Sequence, residues 1–486
     1  MDSFLKKKLA TGACLVAVLF GMLSCSKDED LATNEENLTN ARLALAVDEC
    51  GCPETPTTTV TLSGTITTNT TLTSNNLYLI SGKVFVTNGA TLTINPGTRL
   101  EGIYNSNPVN ASALVITKGS KIIADGDTGG TICPIVFSAH IDSTNPTATV
   151  GDWGGLVILG NAEINTTSGT AFIEGISPSS VPAGVDATYG GENNADNSGI
   201  LSYVRVEYAG ASIATDNELN SFTFGGVGAG TQLDHLQSYY GADDSFEFFG
   251  GNVNGKYLIS TAANDDAFDF DLGYTGNLQF LVAVLDPEAP YSANANGIES
   301  DNDATTSGNT PLTRPVISNL TIVGTEDSDG ASGNVQYGAH FRRNSRLVLR
   351  NSVLYGYDPV VFLDAAVYGS LTNTLTSTAN NTSIFAHNVL GRISTSAAWN
   401  NSGWTPSATN SLVLYSGITL GSPYGYGNFF ASSAPLRPTA NPAQTGADFT
   451  GLSSSFFTTT TYKGAFPSSG GYWIADCWVN EDFPIF

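Results

Sequence analysis

The chain predicts an all-β fold, a right-handed parallel β-helix, and three observations carry that expectation. Apolar residues recur at one 22-residue step: Leu92, Leu114, Val136 and Ile158. A fixed period of about 20–25 residues marks a solenoid, whose coils bury their apolar faces only by stacking. From Thr57 onward the chain alternates short apolar runs with Gly, Asn, Asp and Pro, and hardly a helical pattern intervenes. Finally, the 13% of charged residues sit among ample aromatic and β-branched ones, which makes a β-rich extracellular chain and not a disordered one. A leucine-rich repeat fails for want of its Leu-x-x-Leu-x-Leu pattern, and a propeller needs blades about twice as long.

The elements follow in chain order. Residues 1–24 read as an export signal: Lys6, Lys7 and Lys8, then an apolar run from Leu9 to Leu23 too short to span a membrane. The run ends in "MLSC", which resembles a bacterial lipobox, so Cys25 is expected to carry the lipid. Residues 25–56 are expected to be the acylated cysteine and a flexible tether, because 26–49 is polar and lacks aromatics. Residues 57–486 are expected to form the β-helix domain. Its first coils are "ATLTINPGT", "SALVITKGS", "PIVFSAH" and "LVILGNAEI"; further on, Leu236, Leu258 and Phe280 keep the 22-residue step. Pro178–Ser198, Pro287–Pro311 and Thr395–Pro442 read as insertions, the places where a rigid solenoid carries function. At about 465–486, "GGYWIADCWVNEDFPIF" is expected to cap the last coil and cover a bare sheet edge.

A net charge of −25 sets nucleic acid aside as a partner. Cys50, Cys52, Cys133 and Cys477 are expected to form two disulfides in an oxidising compartment, with three connectivities open. Zinc on these cysteines is disfavoured, since His140 is the one histidine near any of them.

One phrase occurs twice. "GADDSFEFFGG" (Gly241–Gly251) returns 22 residues later as "ANDDAFDFDLG" (Ala263–Gly273). Strand alternation puts Phe246, Phe248, Phe268 and Phe270 into the core as aromatic ladders, and sets Glu247 over Asp269 on the outside. Phe222 and Phe224 echo the phrase 24 residues earlier, with Thr223 in Glu247's place. Asp243, Asp244, Glu247, Asp265, Asp266, Asp269 and Asp271 make seven carboxylates within two coils. Such neighbours repel by about 1 kcal/mol per pair in water and several-fold more in a half-dry groove. Three readings compete. The aspartates are solvated Asx turns at coil corners; they hold structural Ca2+, which oxygen-rich acidic sites suit; or Glu247 and Asp269 are catalytic carboxylates, with Lys256 or Arg205 as the base.

"GATLTINPGT", "SALVITKGSKIIADG", "GDWGGLVILGNAEI", the two acidic phrases and "GAHFRRNSRLVLRNS" together resemble a largely uncharacterised family of Bacteroidota-type β-helix surface lipoproteins, over residues 57–486. The resemblance implies a fold and an address, with "CSKDED" similar to the acidic tag of proteins sent to the outer face of the outer membrane. It implies no activity. "GADD" also resembles part of the polygalacturonase aspartate set, but that family's Gly-His-Gly and Arg-Ile-Lys have no counterparts at the required places.

Elsewhere, His140, His235, His340 and His387 are scattered, and "GDWGG" offers Trp153 as a sugar platform or a packed corner. Arg342, Arg343, Arg346 and Arg350 are expected to ion-pair on an outer face with Asp327 and Asp329. The expected function is binding or scaffolding at the cell envelope, with a glycan or an outer-membrane protein as partner. The alternative is a calcium-dependent polysaccharide lyase or glycoside hydrolase acting near Glu247 and Asp269.

Overall fold

The structure, a computed structural model, describes residues 50–481 apart from short stretches, of which 325–333, 393–398 and 422–432 are the longest. The export signal, Cys25, the tether to residue 49, Asp327 and Asp329 lie outside the described residues. Among the described residues, twenty-five strands form one continuous hydrogen-bonded sheet wound into coils. Every pairing within it is parallel, from Thr58–Ile66 on Asn76–Val86 at one end to Val389–Arg392 on Ser411–Leu414 at the other. This is the parallel β-helix that the repeats predict.

The register differs from the expectation in an instructive way. Leu92 pairs with Thr70 and Ile122, whereas Leu114 pairs with Val84 and Leu156, so these two lie in different stacks. Their common spacing reflects strands of similar length following one another around a coil, not residues lying over one another. The 22-residue step is true stacking for Leu236 on Leu258 and for Phe246 on Phe268. Leu258 then pairs with Leu281, and Phe280 stacks on Tyr257 at the adjoining corner.

One face positions the acidic phrases. Its strands are Ala113–Ile116, Leu156–Leu159, Phe222–Gly225, Phe246–Phe249, Phe268–Asp271, Ile298–Ser300, Ala339–Phe341 and Val361–Leu363. Phe222, Phe246 and Phe268 point inward as one ladder, with ring centroids 4.9 and 5.4 Å apart. Phe224, Phe248 and Phe270 form a second, at 5.0 and 5.4 Å. All six are buried, so the repeated phrase builds core as predicted.

The outward face is not solvent. An insertion carrying Ile164, Ile173, Ile176, Ala187 and Tyr189, with Leu219, packs on outward-pointing Phe85, Val115, Val157 and Phe249. Glu247 and Asp269, expected on the outside, therefore point away from the core as predicted, but into a second, roofed layer.

The C-terminal stretch, expected as a cap over the last coil, runs back along the side of the solenoid. Asp448 binds Asn351, Gly464 binds Asn319, Thr458 binds Gln279, and Asn480 binds Gln237. This strap covers a corner where Tyr203, His235, Tyr257 and Phe280 stack at 4.3–5.0 Å with left-handed backbone, φ +53 to +59°. Trp473 and Trp478 meet that stack edge-on. Of the three connectivities, the structure has Cys50–Cys477 and Cys52–Cys133. The first ties the strap to the residues just before the first strand. Closing so long a loop restricts the unfolded chain strongly.

Candidate metal centre

The turn before each acidic strand is held by a ladder of side-chain oxygens. Asn220 Oδ1 accepts the Asp244 N–H at 3.2 Å, and Asp244 Oδ1 accepts the Asp266 N–H at 2.8 Å. Asp266 Oδ1 accepts the Asn296 N–H at 2.6 Å, and Asn296 Oδ1 accepts the Tyr337 N–H at 3.2 Å. Four successive coils thus use the same bond. Asparagine makes it twice and aspartate twice, so turn chemistry does not require the charge at Asp244 and Asp266.

The next outward column runs Val157, Thr223, Glu247, Asp269, Glu299, His340. Together the ladder and the column bring carboxylates into three overlapping groups: Asp243–Asp244–Asp265, Asp244–Glu247–Asp269 and Asp266–Asp269–Glu299. Within each group, one oxygen from every residue lies within 4.8 Å of the others. Glu247 Oε2 accepts from Asn220 Nδ2, and Asp269 Oδ1 accepts the Phe270 N–H at 2.6 Å. The second oxygens of Asp244, Glu247, Asp266 and Asp269 accept nothing from the described residues.

The inner members of these groups are short of water, while Asp243, Asp265, Asp269 and Glu299 are half-buried. Asp244, Glu247 and Asp266 are 7%, 5% and 5% exposed. Burial first, and then the neighbouring negative charge, hold Asp243, Asp244, Glu247, Asp266 and Asp269 well above the usual carboxylate range. Asp265 is pushed up to about 7 by burial and by Glu299 and Glu218. Glu174, on the roofing insertion, also rises to about 7 through burial and Glu218. The last group has partial compensation: Arg342 donates to Glu299 and, at 2.9 Å, to Asp301, which also accepts from Arg343 at 2.7 Å.

Six of the seven predicted acidic residues fall in these groups; Asp271 does not. It sits beside the column, accepts the Leu272 N–H, and is pushed up to about 7 by burial. Glu299 was missed because Pro287–Pro311 reads as an insertion. Its signal is the "IES" of Ile298–Ser300, which repeats the apolar–acidic alternation of "FEF" and "FDF".

The proposed catalytic base is not at the site. Lys256 stacks on Asp234 and Gln279 in another face, where its Nζ donates to Thr458 Oγ1 at 3.0 Å and lies 5.0 Å from the Phe456 ring centre. Arg205 pairs with Glu207 at 3.3 Å. Arg342 and Arg343 join the acidic column, whereas Arg350 is buried against Asp448 and Thr450 of the strap, so the arginine cluster does not form one outer face. Trp153 is fully buried, with its Nε1 donating to the Glu207 carbonyl at 2.8 Å, so it is a packed corner and not a sugar platform.

With this geometry in view, the comparison with known families is direct. The pectate-lyase-like β-helix domain family matches residues 64–412, most of the chain. The chain belongs to that family. No curated protein and no solved structure matches it. Membership in the pectate-lyase-like family fits the wound parallel sheet, and by itself fixes neither a reaction nor a ligand.

Proposed function

We propose that this pectate-lyase-like β-helix is a lipid-anchored binding or scaffold protein of the outer membrane, a rigid, surface-facing solenoid that meets a glycan or an outer-membrane protein. Cys25 carries the anchor in this reading, and structural Ca2+ in the acidic column stiffens the middle coils. The observation that carries it is the roof over the carboxylates. Asp244, Glu247 and Asp266 are covered on the outward side, where a polymer would have to lie to be cut. Buried acidic oxygens without compensating cations suit an ion held for structure.

The alternative, a calcium-dependent polysaccharide lyase or glycoside hydrolase, draws support from the family's type of β-helix. It needs an open groove and a base within reach of Glu247 and Asp269, and Lys256 lies on another face. The test is to purify the native lipoprotein in detergent with calcium and identify what accompanies it. A stoichiometric outer-membrane protein supports the scaffold. Recovery alone, with cleavage of an acidic polysaccharide that is lost in Asp269→Asn, would overturn it.

A further inference from the structure

We infer that the acidic column takes two divalent cations that share Asp244, one held with Asp243 and Asp265 and the other with Glu247 and Asp269, and that Thr223 and Asn264 supply neutral oxygens to them. The inference rests on the calcium reading above and specifies its ligands and number.

Charge decides the number. The two groups contain five carboxylates, with Asp244 common to both. One divalent ion leaves an excess of three negative charges in a covered layer; two leave an excess of one. The third group is different, because Arg342 already donates to Glu299 there. Among the described residues, no lysine or arginine forms an ion pair with Asp243, Asp244, Glu247, Asp265 or Asp269.

Two further atoms point to ligands independently of the acids. Thr223 is 0% exposed, and its Oγ1 has no hydrogen-bond partner. It occupies Glu247's position on the preceding strand, with Phe222 and Phe224 turned inward on either side. Its hydroxyl therefore shares the outward layer, between apolar Val157 and Glu247. Asn264 is 6% exposed, and its Oδ1 likewise has no partner. It stands in the turn that carries Asp265, its N–H bonded to the Gly241 carbonyl two residues before Asp243. A buried hydroxyl or amide oxygen without a partner is costly to leave unsatisfied. A hard cation takes both oxygen types as ligands alongside carboxylates, and Ca2+ accepts six to eight of them.

The experiment is equilibrium dialysis of the purified chain against calcium alone, with the bound ion counted per chain. Two bound ions are expected in the parent. Thr223→Val, which keeps the side-chain shape, is expected to weaken one of them about tenfold and leave the other. Asp244→Asn, which preserves the turn bond, is expected to weaken both. One bound ion would overturn the shared pair while the single-calcium reading survives; none would overturn both. Two ions whose affinities ignore Thr223→Val would overturn the ligand set proposed here.

Discussion

The outward column of the acidic face has two halves that share a fold and differ in chemistry. Phe85, Val115 and Val157 come first, then Glu247, Asp269 and Glu299, all in one parallel register. The same inserted layer lies over both halves, since Phe249, beside Glu247, packs with the same cluster as Val157. The apolar half shows what the architecture needs there: side chains that a second layer can cover. The acidic half departs from that need at a cost. Thr223 marks the border, with no charge and no hydrogen-bond partner. The departure is therefore not a demand of the β-helix.

The largest effect expected is the one that does not distinguish the halves. Phe248→Ala removes a buried ring from the ladder that runs beneath the acids, and should cost about 3–5 kcal/mol. The loss should be the same with calcium or with chelator, measured by denaturant unfolding at matched slopes. A cost that vanished in chelator would mean that the core under the acidic half is not packed without the ion.

Next in size, counted ion by ion, is chelation itself. A ligand at 100–1,000 times its dissociation constant stabilises by about 2.7–4.1 kcal/mol per site. At about 2–4 °C per kcal/mol for a large domain, EDTA at pH 8 should lower the melting temperature by roughly 5–15 °C for each ion removed. An unchanged melting curve would remove calcium from the acidic half and leave solvated turns as its account.

How much of this was legible follows from what each signal encodes. The Phe ladders were readable because identical phrases at stacking distance place identical residues over each other. The Leu92–Leu114 step was misread because coils of similar length space their strands evenly whether or not those strands stack. The acidic groups were readable as a set, but their burial was not: the roof comes from an insertion, whose path no repeat dictates. Glu299 was hidden for the same reason, a strand of three residues set within an insertion. The strap was likewise unreadable, because an aromatic tail suits a coil's end and a coil's side equally well.

A smaller effect sharpens the comparison through pH. Asp265 and Asp271 are pushed up to about 7 in the folded chain, against about 3.9 for an unfolded aspartate. A carboxylate raised on folding binds more protons in the native state, so its stabilising contribution is fully present below about pH 4. That contribution is lost as pH rises through about 7. The chelated chain should therefore melt progressively lower from pH 4 to 8, and the gap between calcium-loaded and chelated chains should widen over that window. Calorimetry at constant ionic strength reads it. A chelated chain whose stability rises with pH would mean that these carboxylates are compensated by something other than an ion.

The smallest effect in the chelated chain, and the sharpest discriminator, belongs to Asp244→Asn. Asn220 in the preceding coil and Asn296 two coils further on hold their turns with the same oxygen-to-N–H bond, so asparagine at 244 keeps the Asp266 N–H satisfied. What it removes is one buried charge among like charges. Without calcium at pH 8, the variant should equal or exceed the parent by up to about 1 kcal/mol, since easing repulsion offsets the altered packing. With calcium it should fall below the parent, because the shared ligand is gone. Such a crossing of two melting curves is what a ligand produces and a turn residue does not. If the variant were less stable by the same amount in both conditions, Asp244 would be part of the turn alone, and the acidic half would differ from the apolar half only in its solvation.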